Sequence, residues 1–220
     1  MAKVIQAPSF DDTLITAIVQ EYSVGTKIVA PKNCFGQVNQ YGKNKIFADS
    51  ITLDKKSISW LSTPKIPFFG KIKEVVCYFL PYGFSGTLYF NEEFTLKNGR
   101  KAKMDLKIQY EVQVEDAQKA EYIMWREFAK KSRPTTTCKM VTFQEWKNAV
   151  SQQIKDHLIS SQADGAHWTF ELKPGGRLAG LSFASIGTET SMKLFLQSMF
   201  KKIGYKPNKL VVDITNINYV

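Results

Sequence analysis

Between residues 102 and 114, apolar and polar side chains alternate without a break. Successive side chains of a strand point to opposite faces of a sheet, so this period predicts one long antiparallel strand that is buried on one side. Asn98 and Gly99 predict the hairpin turn that leads into it. The outward side of the predicted strand carries Lys103, Asp105, Lys107, Gln109 and Glu111.

Shorter apolar-rich segments on both sides of this strand predict further strands. They cover residues 25–30, 33–40, 45–48, 73–80, 86–90 and 209–219. A glycine within residues 41–44 predicts a hairpin turn, and residues 81–85 predict a second turn. Pro64 and Pro67 predict an edge strand or a loop over residues 59–69, because proline donates no hydrogen bond to a ladder.

Two segments with helical spacing precede the last two predicted helices. Residues 9–22 begin with a capping serine and predict a short N-terminal helix. The apolar face of that helix comprises Leu14, Ile15, Ile18, Val19 and Tyr22. Asp116 predicts the cap of another helix, which Pro134 ends. Its apolar face comprises Ala120, Ile123, Met124 and Phe128.

Two more helices are predicted farther along the chain. Thr142 and Glu145 match a capping box, in which each side chain accepts a hydrogen bond from the other residue's backbone N–H. The apolar face of this helix comprises Trp146, Ala149, Val150, Ile154 and Leu158. The last helix is predicted to begin near Thr188, with Gly204 at the left-handed position that follows many helices. Its apolar face comprises Met192, Phe195, Met199 and Phe200.

This order of elements, with strands first, helices later and a final strand, predicts an α+β fold. Its largely antiparallel sheet would have the helices packed on one side. The predicted organisation is an N-terminal helical segment over residues 1–23 and a single domain over residues 24–220.

Composition fits a globular chain of this length. The 220 residues are 44% hydrophobic and 23% charged, which excludes bulk disorder and collagen-like chains. No apolar run approaches the ~18 residues of a membrane-spanning helix, and the first residues do not match a secretory leader. We therefore expect a cytoplasmic, intracellular protein.

The net charge of +10 is spread along the chain. Residues 1–110 carry 15 basic and 9 acidic residues, and residues 111–220 carry 15 and 11. Proteins that read nucleic-acid sequence usually concentrate basic residues on one element. The charge therefore favours a solvated basic surface and leaves a polyanionic partner as the alternative.

Candidate nucleophiles and metal ligands are sparse. Cys34, Cys77 and Cys138 stand far apart and form no zinc-binding pair, so we expect three reduced thiols. Cys138 with His157 or His167 would make a nucleophile–base pair, but the sequence shows no third group to orient it. Surface or core histidines are the simpler interpretation.

The other motifs also favour structural roles. Gly83, Ser85 and Gly86 fall short of a nucleophile elbow because Thr87 replaces its last glycine, and residues 174–177 form a glycine-containing loop without a Walker lysine. Glu92 and Glu93 are adjacent, so they point to opposite faces of a strand. The tryptophans are predicted to be core or interface anchors rather than base-stacking platforms; they are Trp60, Trp125, Trp146 and Trp168. No catalytic, cofactor-binding or metal-binding residue is predicted, and no cofactor.

Four segments, in this order, resemble the SPFH (band 7) family of stomatins, prohibitins and flotillins. The segments are GTKIVAPKNCFGQVNQYGK, IPFFGKIKEVVCYFLPYGFSGTLYF, GRKAKMDLKIQYEVQVEDAQKA and MKLFLQSMFKKIGYKPNKLVVDITNI. The second is similar to the virion-core-protein-like bacterial branch. The resemblance covers residues 24–218 and rests on the order and spacing of the segments. Relatives usually add a membrane-attached start and a long coiled coil, and neither pattern occurs in these 220 residues.

The resemblance implies a non-catalytic scaffold that oligomerises or binds client proteins, and it alone implies peripheral membrane association. The alternative, which rests on the net charge, is a basic nucleic-acid-associated protein. A hydrolase of unknown type is the third hypothesis.

Overall fold

The computed structural model describes residues 3–8, 11–21, 25–40, 43–53, 74–95, 101–118, 120, 134–163 and 181–219. Its strands are β1 (Val4–Gln6), β2 (Thr13–Glu21), β3 (Lys27–Val29), β4 (Cys34–Gln40), β5 (Lys43–Phe47), β6 (Ser50–Thr52), β7 (Glu74–Pro81), β8 (Gly83–Thr95), β9 (Lys101–Val114), β10 (Cys138–Thr142) and β11 (Tyr205–Tyr219). Its helices are α1 (Phe143–Ala163) and α2 (Leu181–Lys202). The fold is α+β with mostly antiparallel sheets, as predicted.

The chain forms two compact units. Unit 1 comprises Met1–Gly83 and Val114–Trp146, and unit 2 comprises Phe84–Gln113 and Lys147–Val220. The described strands divide among three sheets, where the sequence predicted one. The expected single domain over residues 24–220 stays a prediction.

A five-stranded sheet in the order β10-β2-β7-β4-β5 forms the larger part of unit 1, and its neighbouring strands are antiparallel. A smaller sheet in the order β1-β3-β6 pairs β1 with β3 in parallel. Buried residues from both sheets form one core, which joins Ile28 and Ile51 of the small sheet to Val38 and Phe79 of the large one. The two sheets of unit 1 are therefore held together by apolar packing.

The predicted helix over residues 9–22 is wrong, because the described part of this segment is β2. Its residues from Leu14 to Val19 are all buried, including both the odd and the even positions. A strand that is covered on both faces loses its two-residue alternation and becomes a continuous apolar run. Such a run also fits a helical face, so the sequence pattern did not separate the two.

The hairpin predicted from residues 33–48 is confirmed as β4 and β5, which pair from Gly36 with Phe47 to Gln40 with Lys43. The ring of Phe47 occupies the space that a side chain at position 36 would need. Phe47 also packs edge-on against Phe79, with ring centroids 6.1 Å apart. Glycine at position 36 therefore allows a cross-strand aromatic ring to cover the backbone.

In unit 2, a three-stranded sheet has the order β11-β9-β8, and it confirms the predicted long strand as β9. The inward row of β9 is buried and comprises Leu106, Ile108, Tyr110 and Val112. Residues 103, 105, 107, 109, 111 and 113 are exposed or half-buried. The predicted alternation is therefore confirmed for the side chains that the structure describes.

The predicted turn over residues 81–85 is wrong, because β7 continues to Pro81 and β8 begins at Gly83. Tyr82 alone separates two strands that belong to different sheets. Its backbone N–H donates to the Asn33 carbonyl at 2.9 Å, and its carbonyl accepts from the Val114 N–H at 2.7 Å. These bonds satisfy the backbone where the chain leaves one sheet for the next.

The capping box predicted at the start of α1 is confirmed. The backbone N–H of Thr142 donates to Oε2 of Glu145 at 2.9 Å, and the backbone N–H of Glu145 donates to Oγ1 of Thr142 at 3.1 Å. Trp146, Val150 and Ile154 of the predicted apolar face are buried. The two side chains thus satisfy N–H groups that the first helical turn leaves without partners.

Helix α2 begins at Leu181, seven residues before the predicted start at Thr188. Met192, Met199 and Phe200 of the predicted face are buried, and so is Leu196. Gly204 follows the helix with a φ of 80°, as predicted. Strand β11 begins directly after it at Tyr205, four residues earlier than predicted.

Aromatic side chains pack helix α2 against the inward face of the three-stranded sheet. Phe200 lies 5.4 Å from Tyr110 and 6.4 Å from Phe84, measured between ring centroids. Tyr205, at the start of β11, lies 5.3 Å from Phe84. Within unit 2, the last helix therefore packs on the inward face of this sheet.

Several predicted elements lie outside the described residues. They are the edge or loop over residues 59–69, the turn at Asn98 and Gly99, and the body of the helix after Asp116. Of the residues predicted to begin that helix, 116–118 and 120 are described, and they include a turn in which Oδ1 of Asp116 accepts from the backbone N–H of Gln118 at 2.9 Å.

We predict that Ile108→Asp destabilises the protein by about 4 kcal/mol or more, because it removes a fully buried side chain and leaves a carboxylate without a partner in the core. Denaturant unfolding measures the change. Gln109→Asp, on the outward side of the same strand, is the control and should change stability by less than ~1 kcal/mol. An Ile108→Asp protein that unfolds like the wild type contradicts the assignment of β9 to the core.

We also predict that acid weakens the contact between α1 and α2 at His157. Its ring stacks on Phe195 at 4.2 Å, and burial lowers the pKa of His157 below its ordinary value of 6.5. The unfolded chain therefore takes up a proton more readily than the folded chain, and stability falls as the pH drops below about 6.5. His157→Phe keeps an aromatic stack and removes this titration. Thermal melts between pH 8 and pH 5 should show a smaller loss for the variant than for the wild type, and parallel curves would contradict the prediction.

Candidate functional site

The candidate nucleophile Cys138 and its candidate base His157 each contact other side chains. Cys138 lies on β10 in unit 1, where its thiol contacts Sδ of Met140 at 3.5 Å. His157 lies on α1 in unit 2, against Phe195 and Ser191. None of these three contacts is a thiol–imidazole hydrogen bond. His167, the other proposed partner of Cys138, lies outside the described residues.

All three cysteines are free. Burial raises the pKa of Cys77 to about 12 and also raises the pKa of Cys34. Since the thiolate is the reactive form, a raised pKa makes both thiols less nucleophilic at neutral pH.

A serine–histidine contact, which the sequence did not indicate, joins the two helices of unit 2. Oγ of Ser191 lies 3.4 Å from Nε2 of His157. A nucleophile and its general base usually approach within about 2.6–3.2 Å. One face of the imidazole is also stacked on Phe195, with 10° between the ring planes. The geometry therefore favours a packing contact between helices.

The remaining motifs have structural positions as well. Gly86 lies on β8, and the hydroxyl of Tyr110 occupies the space that a side chain there would need. Glu93 is exposed and pairs with Lys101 at 2.7 Å. Trp146 is 1% exposed, which makes it a core residue. The structure does not describe the remaining candidates, which are Trp60, Trp125, Trp168, residues 174–177 and the side chain of Glu92.

Within the residues that the structure describes, no group of three or more histidine, cysteine, aspartate or glutamate side chains is placed to hold a metal ion. None of the described helices combines the length and the apolar character needed to span a bilayer.

The most distinctive surface is the solvent-facing side of β8 and β9 in unit 2, which we call the outer face. It consists of the outward side chains at positions 85, 87, 89, 91 and 93 of β8 and 101, 103, 105, 107, 109, 111 and 113 of β9. Tyr89 is 73% exposed, the highest value among the exposed large hydrophobic side chains that the structure describes. The ammonium group of Lys107 lies 5.8 Å from the centre of the Tyr89 ring.

Charges on the outer face balance. Its three lysines, Lys101, Lys103 and Lys107, are matched by Glu93, Asp105 and Glu111. This face therefore lacks the positive excess of the chain as a whole. An exposed aromatic ring among balanced charges suits a protein partner better than a polyanion.

A second surface concentrates positive charge. Lys201 and Lys202 end α2, and Lys206 and Lys209 lie in the first part of β11. All four side chains are exposed, and residues 201–209 contain no acidic residue. We call residues 201–209 the basic turn. Lysines in the last turn of a helix also complement its dipole, so part of this charge has a structural role.

No protein-family model matches the chain, and no curated protein matches it. The outer face and the basic turn therefore carry the functional argument.

Proposed function

We propose that this chain is a non-catalytic interaction domain that assembles with copies of itself or binds client proteins, in the manner of SPFH (band 7) scaffolds. The order of the four resembling segments supports this family and its fold. The α+β architecture with mostly antiparallel sheets is compatible with it. The proposal also includes membership of the family, the finer SPFH-like fold, a cytoplasmic location and peripheral membrane association.

The outer face is the observation that carries this function. Tyrosine is enriched at protein interfaces because it offers a large apolar surface together with one polar group. Tyr89 offers that surface at 73% exposure, on a strand whose inward neighbours Leu88 and Phe90 are buried. The sheet beneath it is held by the core, so the face is presented on a rigid element rather than on a loop.

The basic turn favours a second candidate function, which is binding to a polyanion such as a nucleic acid. Four exposed lysines within nine residues are a local excess of the kind that releases counterions from phosphates. No comparable set of described residues favours the hydrolase hypothesis.

We expect the mass of the chain in solution to exceed the 25.0 kDa of one copy and to rise with concentration, because the proposed function includes self-assembly. Light scattering after size-exclusion chromatography, from low to high micromolar concentration, measures this. A monomeric standard of similar mass is the control. A chain that stays monomeric throughout and is also crosslinked to no partner in its own cells would contradict the proposed function.

If the second candidate holds, affinity for a labelled oligonucleotide should fall steeply with salt. The slope should reach about −3 to −4 in a double-logarithmic plot when four lysines neutralise phosphates. Replacing one of them, Lys206→Gln, should reduce the slope by about 1. Lys27→Gln, at an exposed lysine of unit 1, is the matched control. Absence of binding at low salt removes this candidate.

A further inference from the structure

The contacts between β8 and β9 fix the centre of the outer face. Gly86 lies against Tyr110, Tyr89 against Lys107, and Asn91 donates to Asp105 at 2.6 Å. Residue numbers thus rise along β8 as they fall along β9, as antiparallel pairing requires. Tyr89 and Lys107 are therefore side-by-side neighbours on the outer face.

Two opposite charges lie at equal distances from this centre. Lys103 and Glu111 are each four residues from Lys107 and point to the same side of β9. Both side chains are exposed, and no hydrogen bond or ion pair to either is found among the described residues. At roughly 3.4 Å per residue they are about 27 Å apart, so they cannot pair with each other within one chain.

We propose that a second copy of this chain packs face to face on the outer face, about a twofold axis that crosses the strands at Tyr89 and Lys107. This inference rests on the proposed function and names its partner and its surface. The axis lies in the interface and is perpendicular to the strands, so it reverses their direction. Lys103 then faces Glu111 of the partner subunit, and Glu111 faces Lys103 of the partner subunit.

The same axis brings together the two exposed tyrosines. Tyr89 of each copy packs against Tyr89 of the partner subunit at the centre of the interface, which removes both rings from water. The two Lys107 side chains also approach there. Each already lies near the Tyr89 ring of its own chain, and Asp105 is two residues away on the same face. These groups offset the repulsion between the two ammonium charges.

Self-complementarity favours a second copy over another partner. An interface between identical copies presents the same patch twice, so opposite charges that lie at equal distances on either side of the twofold axis face each other. Lys103 and Glu111 meet this condition about Tyr89 and Lys107. A nucleic acid would meet as many carboxylates as lysines on the outward side of β8 and β9, so these two strands offer it no net attraction.

Charge reversal tests the arrangement. Lys103→Glu places two glutamates opposite each other at both ends of the interface, and Glu111→Lys does the same with two lysines. Each single variant should weaken self-association about tenfold or more, because like charges then face each other. Analytical ultracentrifugation of the full chain measures the dissociation constant. Lys27→Glu, at an exposed position on β3 in unit 1, makes the same change in net charge as Lys103→Glu and should leave the dissociation constant unchanged.

Two rescues distinguish this geometry from a general effect of charge. An equimolar mixture of the two single variants should associate, because every glutamate then faces a lysine in the mixed dimer. The double variant Lys103→Glu with Glu111→Lys should also recover the wild-type affinity to within about threefold, because opposite charges face each other again. Circular dichroism and thermal melts verify that each variant is folded.

Tyr89→Ser gives a measurement that does not depend on charge and should weaken association about tenfold or more. If the wild type associates but the reversals and Tyr89→Ser have no effect, or if the mixture does not recover, the interface is wrong and the proposed function stands on another surface. A wild type that is monomeric at every concentration also overturns this inference, and the proposed function then depends on clients alone.

Discussion

The buried row of β9 is the constraint on which unit 2 depends. Ile108 and Tyr110 lie on the inward side of the middle strand, with β8 on one side and β11 on the other. Phe200 of α2 packs on Tyr110, so the same row also holds the helix. A shift of this strand by one residue would turn every apolar side chain to solvent and every charge into the core, so its register is strongly specified.

That constraint also determines what the outer face presents. Because the inward row takes the apolar residues, lysines and carboxylates of β9 must all point outward from one straight element. Hydrogen bonding to β8 then places Tyr89 beside Lys107. The surface chemistry of unit 2 is thus a consequence of its core, and an interface built on this face needs no mobile loop.

Unit 1 differs from unit 2 because an inner strand of its larger sheet is buried on both faces. Strand β2 lies between β10 and β7 and is covered on both faces, so it has no outward side on which to carry function. Gln37 is a buried polar side chain in the same sheet, and its amide donates to the carbonyl of Ala120 at 2.8 Å. This bond satisfies the buried amide and fixes the segment that follows β9. The buried side chains of unit 1, Cys77 among them, form an apolar core that stabilises this unit.

Local chemistry along the sequence determined the alternation of β9, the capping box of Thr142 and Glu145, and the left-handed glycine at position 204. Each depends on neighbours within a few residues, so tertiary contacts were not needed to predict it. The start of α2 was misplaced because Gly187 lowers helix propensity by about 1 kcal/mol relative to alanine, and propensity alone favours a start after it. Only the tertiary structure decided that residues 13–21 form a strand, because burial on both faces removes the period that separates strand from helix. It also decided that the strands divide among three sheets and that Tyr89 lies beside Lys107, since pairing between distant strands depends on which apolar faces cover each other.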